Sequence, residues 1–449
     1  MTRSALPRFT RLSLALVVAL AVAAPARALP PGYTLELVHG NLNFPVSMRF
    51  SPDHRLFVLT KGGRVMVYQN PTDPVATLWA TFPVDSNYER GLLGIDFHPQ
   101  FPESAYVYVY YTNASPLQNR VARVWDLGSH SYGNWTLTTL PGTAAYHHGG
   151  RVLFGPDGLL YVTYGDQLDA SAAPDPANIR GKLLRMTPMG KPAPGNPWGT
   201  EAMLRGVRNV YGITFDSATG IGYFTENGPT CDDKIQHLVL GADYGWSATS
   251  VCGSVPDDAV RPMLMYSPTI APTGCIVYRN DRDPFLNGCL LFGSYNDGTI
   301  RRAVFDPSDP TRVFGVDDFL YLPSNSILDV EQDRDGLVWL STPGAIYRIL
   351  PPTAIAGVGD GTSGAGLTLA PNPFRTALSL TPGDGSAVNR IEVADVAGRM
   401  VRTWSGPFRG AVTWDGADAR GAMVPPGIYL VRAIGARGTR TQRVVRLAR

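Results

Sequence analysis

Two residues of this chain have the types and the spacing of a base and its orienting carboxylate. His147 opens the run His147-His148-Gly149-Gly150-Arg151, and Asp166 stands in Gly165-Asp166-Gln167. Between them the sequence reads as a hairpin: apolar Val152, Leu153 and Phe154, a Pro156-Asp157-Gly158 turn, then Leu159-Leu160-Tyr161-Val162. An antiparallel return brings the two ends of such a hairpin back together, so His147 and Asp166 are expected to meet. Imidazole titrates close to neutrality and suits proton abstraction, and a carboxylate partner stabilises the imidazolium that results. The structural alternative is a histidine that only hydrogen-bonds within a loop.

The elements that must position this pair are short strands. Gly 48 and Pro 38, with 17% charged residues, suit many tight turns rather than long solvated helices. A net charge of +2 gives no reason to invoke nucleic acid. Arg3, Arg8 and Arg11 precede an apolar run from Leu12 to Ala24, and Ala26-Arg27-Ala28 offers a small-x-small cleavage site. Residues 1–28 therefore read as a signal peptide cleaved before Leu29, and no later segment is long and apolar enough to cross a membrane. Export permits disulfides among Cys231, Cys252, Cys275 and Cys289. Three connectivities are possible, and local pairing favours 231–252 with 275–289, the latter across a hairpin. Neither a CxxC motif nor clustered histidines support zinc.

A degenerate unit recurs six times: an apolar strand, a Pro/Asp/Gly turn, an aromatic-rich strand and further strand. Its aromatic anchors Phe50, Phe97, Phe154, Phe215 and Tyr278 lie 47, 57, 61 and 63 residues apart, and Glu331 follows 53 later. Such periods predict a propeller, here six-bladed, over residues 29–350. Pro351-Pro352 opens a linker over 351–366, and residues 367–449 alternate like a small Ig-like β-sandwich. The fold class expected is all-β.

The propeller resembles the soluble pyrroloquinoline quinone (PQQ)-dependent sugar dehydrogenases, the glucose/sorbosone dehydrogenase family. The motifs carrying the likeness occur in the family's order. They include Gly91-Leu92-Leu93-Gly94-Ile95-Asp96-Phe97-His98-Pro99, the His147 to Asp166 segment, Gly181-Lys182-Leu183-Leu184-Arg185, Val207-Arg208-Asn209, Glu226-Asn227-Gly228-Pro229 and Asp243-Tyr244-Gly245-Trp246. The resemblance implies that His147 takes the proton of a sugar's anomeric hydroxyl, that Asp166 orients it, and that Arg208 stabilises charge on the reduced quinone. It further implies cofactor contacts from Glu89, Asn209, Asn227, Thr269 and Asn296, and a Ca²⁺ held by the Gly228 and Pro229 carbonyls. The implied partners are an aldose or oligosaccharide and an external electron acceptor. The tail resembles the Ig-like domains of flagellar hook-capping proteins and the sorting tails of type IX secretion.

The chain also departs from the family's pattern. Asn296 stands where a lysine is common, and Ser326 and Leu328 replace two arginines. Each charge-assisted pair with a cofactor carboxylate is worth ~1.5–3 kcal/mol, so weaker PQQ binding is expected. Two other readings stay open: a non-enzymatic propeller that binds carbohydrate or protein, and a metal-assisted hydrolase using His147 and Asp166.

Overall fold

The computed structural model describes residues 29–352 and 367–446, apart from positions 31, 324, 373, 383–387, 396–398, 409, 426 and 436–437. The expected signal peptide, and residues 353–366 of the expected linker, lie outside the described residues. Those described form an all-β structure without a helix, so no helix among them is long and apolar enough to cross a membrane.

Between Thr34 and Leu350 lie six sheets, each of four antiparallel strands. Five are consecutive meanders, in which each strand pairs with the next in the chain. The sixth is completed from the other end of the segment. Thr34–His39 pairs with Ala345–Leu350, Thr34 opposite Leu350. That pairing joins the two ends of the segment in one sheet, with Ala345–Leu350 inside it and Thr34–His39 at its edge.

The first strands of the six sheets are Pro45–Phe50, Leu92–Phe97, Val152–Phe154, Val210–Phe215, Pro272–Val277 and Asp329–Gln332. They carry the recurring anchors at or next to their ends. Pro45–Phe50 packs against both Leu92–Phe97 and Asp329–Gln332, and Pro272–Val277 packs against Val210–Phe215 and Asp329–Gln332. Apolar side chains fill the space between sheets, with Phe57 between Trp79 and Phe97 at 5.2 and 4.9 Å.

Charges tie the first strands together. Arg49 bridges Asp96 of the second sheet at 3.0 Å and Glu331 of the sixth at 2.9 Å. Arg151 bridges Asp329 at 3.0 Å, and the same Asp329 oxygen accepts the Met48 N–H at 2.9 Å. Burial raises the Asp329 and Glu331 carboxyls, and the two arginines oppose that rise. Such pairs are costly to break from one side, because the survivor is left buried and unpaired.

Residues 367–446 form two further sheets, one of three strands and one of four. Both contribute to a core around Trp414, which lies 5.3 Å from Phe374 and 5.1 Å from Tyr429. Ile428 and Val445 pack against Cys289 and Val304 of the fifth sheet.

The cysteines require a correction. Cys231 and Cys252 are joined, with Cα atoms 5.9 Å apart. Cys275 and Cys289 are buried thiols and not a disulfide. The hairpin register explains why: Cys275 lies opposite Phe292, while the backbone partner of Cys289 is Tyr278. The two cysteines are thus three positions out of register, on opposite faces of the sheet.

Two outcomes follow from this fold. Non-reducing peptide mapping gives a Cys231–Cys252 link and two thiols that alkylate only after unfolding. Asp329→Ala loses about 3–5 kcal/mol in urea denaturation, whereas the apolar pair Arg151→Met with Asp329→Leu loses less. A single variant as stable as wild type would show that the pair does not support the first strands.

Candidate active site

The site is built at one end of the third sheet. Val152 pairs with Val162 and Phe154 with Leu160. The ladder continues past the strand through Gly150 N–H to Thr163 O at 2.9 Å and Thr163 N–H to Arg151 O at 3.0 Å. This brings the two loops into backbone contact. A Cβ on Gly165 would stand 2.2 Å from the His147 carbonyl oxygen, so only glycine admits the approach.

His147 Nδ1 lies 2.5 Å from Asp166 Oδ1. Both groups are buried, Asp166 to 1% exposure. Beside a carboxylate the neutral imidazole carries its proton on Nδ1 and leaves Nε2 as the acceptor. Among the described residues no hydrogen bond engages Nε2. Asp166 is itself held: Trp246 Nε1–H donates to Oδ2 at 2.7 Å and the Leu168 N–H to Oδ1 at 2.9 Å. Its own N–H donates to the Arg208 carbonyl at 2.7 Å. Gln167 Nε2 donates to the His147 carbonyl at 2.8 Å and closes the loop pair.

Glu89 joins from the second sheet's approach loop. Its Oε2 accepts the His147 N–H at 2.6 Å and Asn209 Nδ2–H at 3.2 Å. Asn209 Oδ1 in turn accepts the Gly149 N–H at 3.2 Å, and its carbonyl accepts the Asn227 N–H at 2.9 Å. His147, Asp166, Glu89, Asn209 and Asn227 therefore form one connected network.

Arg208 turns its guanidinium onto two carbonyls. Nη1 donates to Asn227 O at 2.9 Å and to Gly228 O at 2.7 Å. Burial pulls this guanidinium down from its ordinary range, against the pull of Asp166, Glu89, Glu226 and Asp233. An arginine remains charged under such a shift. The Gly228 N–H donates to Asp233 Oδ1 at 2.7 Å, and Asp233 Oδ2 accepts the Ile270 and Ala271 N–H groups at 2.6 Å. Asn296 Nδ2 donates to the Thr269 carbonyl at 3.1 Å. Through Asp233 the Thr269–Asn296 pair reaches the Gly228 loop, while Pro229 is exposed beside it. Leu328 is buried at 1% exposure, so that position lies under the surface and not on it.

Trp246, Asp233, Gln167 and Lys61 are site residues that sequence reading left without a role. Trp246 stands in a quoted motif, but nothing local announces that its indole reaches Asp166. Lys61 Nζ donates to the carbonyls of Ser86, at 3.0 Å, and Tyr88, supporting the loop that carries Glu89. Strain marks the same place. Of the nine non-glycine residues with left-handed backbone among those described, Tyr88, His147, Gln167, Leu168, Asp232 and Ala271 border this site. Each costs ~1–3 kcal/mol and persists only where surrounding contacts overdetermine it.

These observations can be set beside known proteins. The family model described as Glucose / Sorbosone dehydrogenase matches residues 42–349. The chain belongs to this family. It is similar to the aldose sugar dehydrogenase YliI of Escherichia coli, 23% identical over 64% of this chain and 84% of that protein. Quinoprotein glucose dehydrogenase B of Acinetobacter calcoaceticus is 26% identical over 49% of this chain and 54% of that protein. The PQQ-bound aldose sugar dehydrogenase of Streptomyces coelicolor superposes with a TM-score of 0.63 at 25% identity, covering 71% of this chain and 99% of that one. The fold is of the propeller type these relatives share, and the family is one of sugar oxidoreductases.

His148 serves structure beside this site. It is buried, with Nε2 2.9 Å from the Ala144 carbonyl, and burial lowers its pKa from 6.5 to about 4. The unfolded chain then takes up a proton that the folded chain refuses between pH 6.5 and 4. Stability therefore falls as pH drops through that window. Thermal melts of His148→Gln across it have a shallower pH slope than wild type; identical slopes would remove the assignment.

Proposed function

We propose that this chain is an exported quinoprotein that oxidises the C1 hydroxyl of an aldose to the lactone. The observation that carries this reading is the buried His147–Asp166 pair, with Nε2 left for a substrate hydroxyl, in a chain of the glucose/sorbosone dehydrogenase family. We read the six four-stranded sheets as six blades over residues 29–350, residues 1–28 as the signal peptide, and 367–449 as an Ig-like module.

The residues present fit a PQQ–Ca²⁺ pair. The Asn227 and Gly228 carbonyls converge on one cationic group, the Arg208 guanidinium, as oxygen donors to a hard cation must. Asn227 Oδ1 and Gln167 Oε1 are buried with no hydrogen-bond partner, as atoms are when a ligand completes them. Gly228, with Pro229, would hold the calcium, and Glu89, Arg208, Asn209, Asn227, Thr269 and Asn296 would border the quinone. When bound, PQQ supplies the two-electron acceptor for the C1 hydride.

The protein's own part is proton transfer and positioning. His147 Nε2 accepts the O1 proton as the C1–H bond breaks and the carbonyl of the lactone forms. Asp166 stabilises the imidazolium through Nδ1–H, and Trp246 and the Leu168 N–H keep the carboxylate aimed. Arg208 provides positive charge where the acceptor gains electrons. The low exposure of His147 keeps bulk water from competing for the proton.

Dye-coupled oxidation of glucose by protein reconstituted with calcium and PQQ tests the reading. His147→Ala loses about 10²–10⁴-fold in kcat, on the scale of general-base removal, while PQQ-induced fluorescence quenching persists. Asp166→Asn loses less, since the base remains but is poorly held. Equal turnover in wild type and His147→Ala, or no PQQ binding with calcium present, overturns it.

A further inference from the structure

We infer that Lys182 is a positioning residue for the His147–Asp166 pair, holding through its ammonium the loop on which Asp166 stands. This rests on the proposed role of that pair and adds a residue to it.

Lys182 is the first residue of the strand Lys182–Met186, and Tyr164 opposite it is the last of Leu160–Tyr164. The loop between them, residues 165–181, carries Asp166, Gln167 and Leu168. Lys182 turns its side chain back into this loop. Nζ donates to the carbonyls of Ala172 at 3.2 Å, Ala173 at 2.8 Å and Arg180 at 2.6 Å. Three acceptors are the full complement of an ammonium.

The residue is 0% exposed. Among the described residues no carboxylate forms an ion pair with it. Asp175 and Asp243 favour its charge only from a distance, and Asp243 is bridged to Arg205 at 3.0 Å. Burial pulls the amine down from 10.5 to about 8, with Arg205 acting in the same direction. A buried charge without a counter-ion is costly, and an apolar side chain of similar size would remove that cost. Packing alone therefore does not account for a lysine here. An ammonium can draw three carbonyls of one loop onto one point, and a methionine cannot.

Two hydrogen-bond chains run from that point to Asp166. In the first, the Ala172 N–H donates to Asp169 O at 3.1 Å, and the Asp169 N–H to Asp166 O at 2.9 Å. In the second, Ala173 O also accepts the Gly206 N–H at 2.9 Å, and Gly206 O accepts the Trp246 N–H at 2.8 Å. The Trp246 indole then donates to Asp166 Oδ2 at 2.7 Å. The mouth of the loop is closed by the Gly181 N–H to Gly165 O at 3.0 Å. A Cβ on Gly181 would stand 2.6 Å from the Ala173 Cβ, so the caged turn packs directly on the strand's start. Removing the ammonium takes one donor from each of three carbonyls in a buried place, and the loop must shift to find others. One chain carries that shift to the backbone of Asp166 and the other to its carboxylate. Lys182 bonds neither His147 nor Asp166 itself, so it acts through the loop.

NMR of the full-length protein tests this without turnover. The His147 Nδ1–H and the Trp246 Nε1–H, both bonded to the Asp166 carboxylate, give downfield proton signals assigned by their loss in His147→Gln and Trp246→Phe. Lys182→Met loses or shifts both signals well below its melting temperature. Lys182→Gln, which keeps two N–H donors without the charge, shifts them less. In protein reconstituted with calcium and PQQ, kcat for glucose falls about tenfold or more in Lys182→Met, with Lys182→Gln between it and wild type. A lysine that served stability alone would lower the melting temperature and leave both signals in place. That result in Lys182→Met, or in Lys182→Gln should the methionine variant not fold, overturns the inference. Shifted signals in a protein that reduces no dye leave the positioning role standing and the dehydrogenase reading fallen. Dye reduction by wild type, with signals unmoved in the variants, gives the reverse.

Discussion

Asp166 is the residue on which the arrangement of the site turns. Its buried carboxylate accepts from the His147 ring, the Trp246 indole and the Leu168 backbone at 2.5, 2.7 and 2.9 Å. The His147 and Trp246 segments, 19 and 80 residues away, therefore share one reference point with the Asp166 loop itself. A carboxylate so placed would be expensive to bury unless every oxygen were satisfied. Each donor depends on the sheet that presents it: His147 and Asp166 on the third, Trp246 on the loop after the fourth sheet's inner strands. Movement of any one of them leaves an unsatisfied buried charge, which couples the precision of the site to the packing of the sheets.

The left-handed backbones of His147, Gln167 and Leu168 are the local consequence of that coupling. Aiming an imidazole at a carboxylate across a hairpin end requires sharp turns in both loops. Glycine relieves the tightest points at Gly149, Gly150 and Gly165, and the functional side chains themselves absorb the remainder. The Cys231–Cys252 bridge works in the same direction, pinning the segment that follows Trp246 beside Asp232, whose Oδ2 accepts the Gly253 N–H at 2.6 Å. Stability elsewhere, in the sheet cores and the ion pairs of Arg49 and Arg151 between first strands, offsets the strain.

Arg208 illustrates how one side chain can serve two electrostatic demands. Its guanidinium donates to both the Asn227 and the Gly228 carbonyls. Four carboxylates, those of Asp166, Glu89, Glu226 and Asp233, favour its charge against burial. The carboxylates around Arg208 outnumber it, which keeps its charge in place despite burial.

Much of this was legible in the sequence because it is local or periodic. The strand–turn–strand reading between His147 and Asp166 needs only apolar alternation and a Pro-Asp-Gly turn, and antiparallel geometry then makes the two ends meet. The recurrence of Phe50, Phe97, Phe154, Phe215 and Tyr278 tracks the first strand of each sheet, since each occupies the same place in a repeated packing unit. What depends on register or on contacts between sheets was out of reach. A shift of three positions decided that Cys275 faces Phe292 and not Cys289, and composition carries no register. Completion of the sixth sheet by Thr34–His39, the indole of Trp246 on Asp166 and the carboxylate of Asp233 between two loops join residues tens to hundreds apart in the chain. The link from Lys182 through Ala173 and Gly206 to Trp246 is of the same kind. Side-chain type determined which groups could do chemistry, and only the closed arrangement of sheets decided which of them meet, because loop closure over such distances is set by the packing of the whole ring.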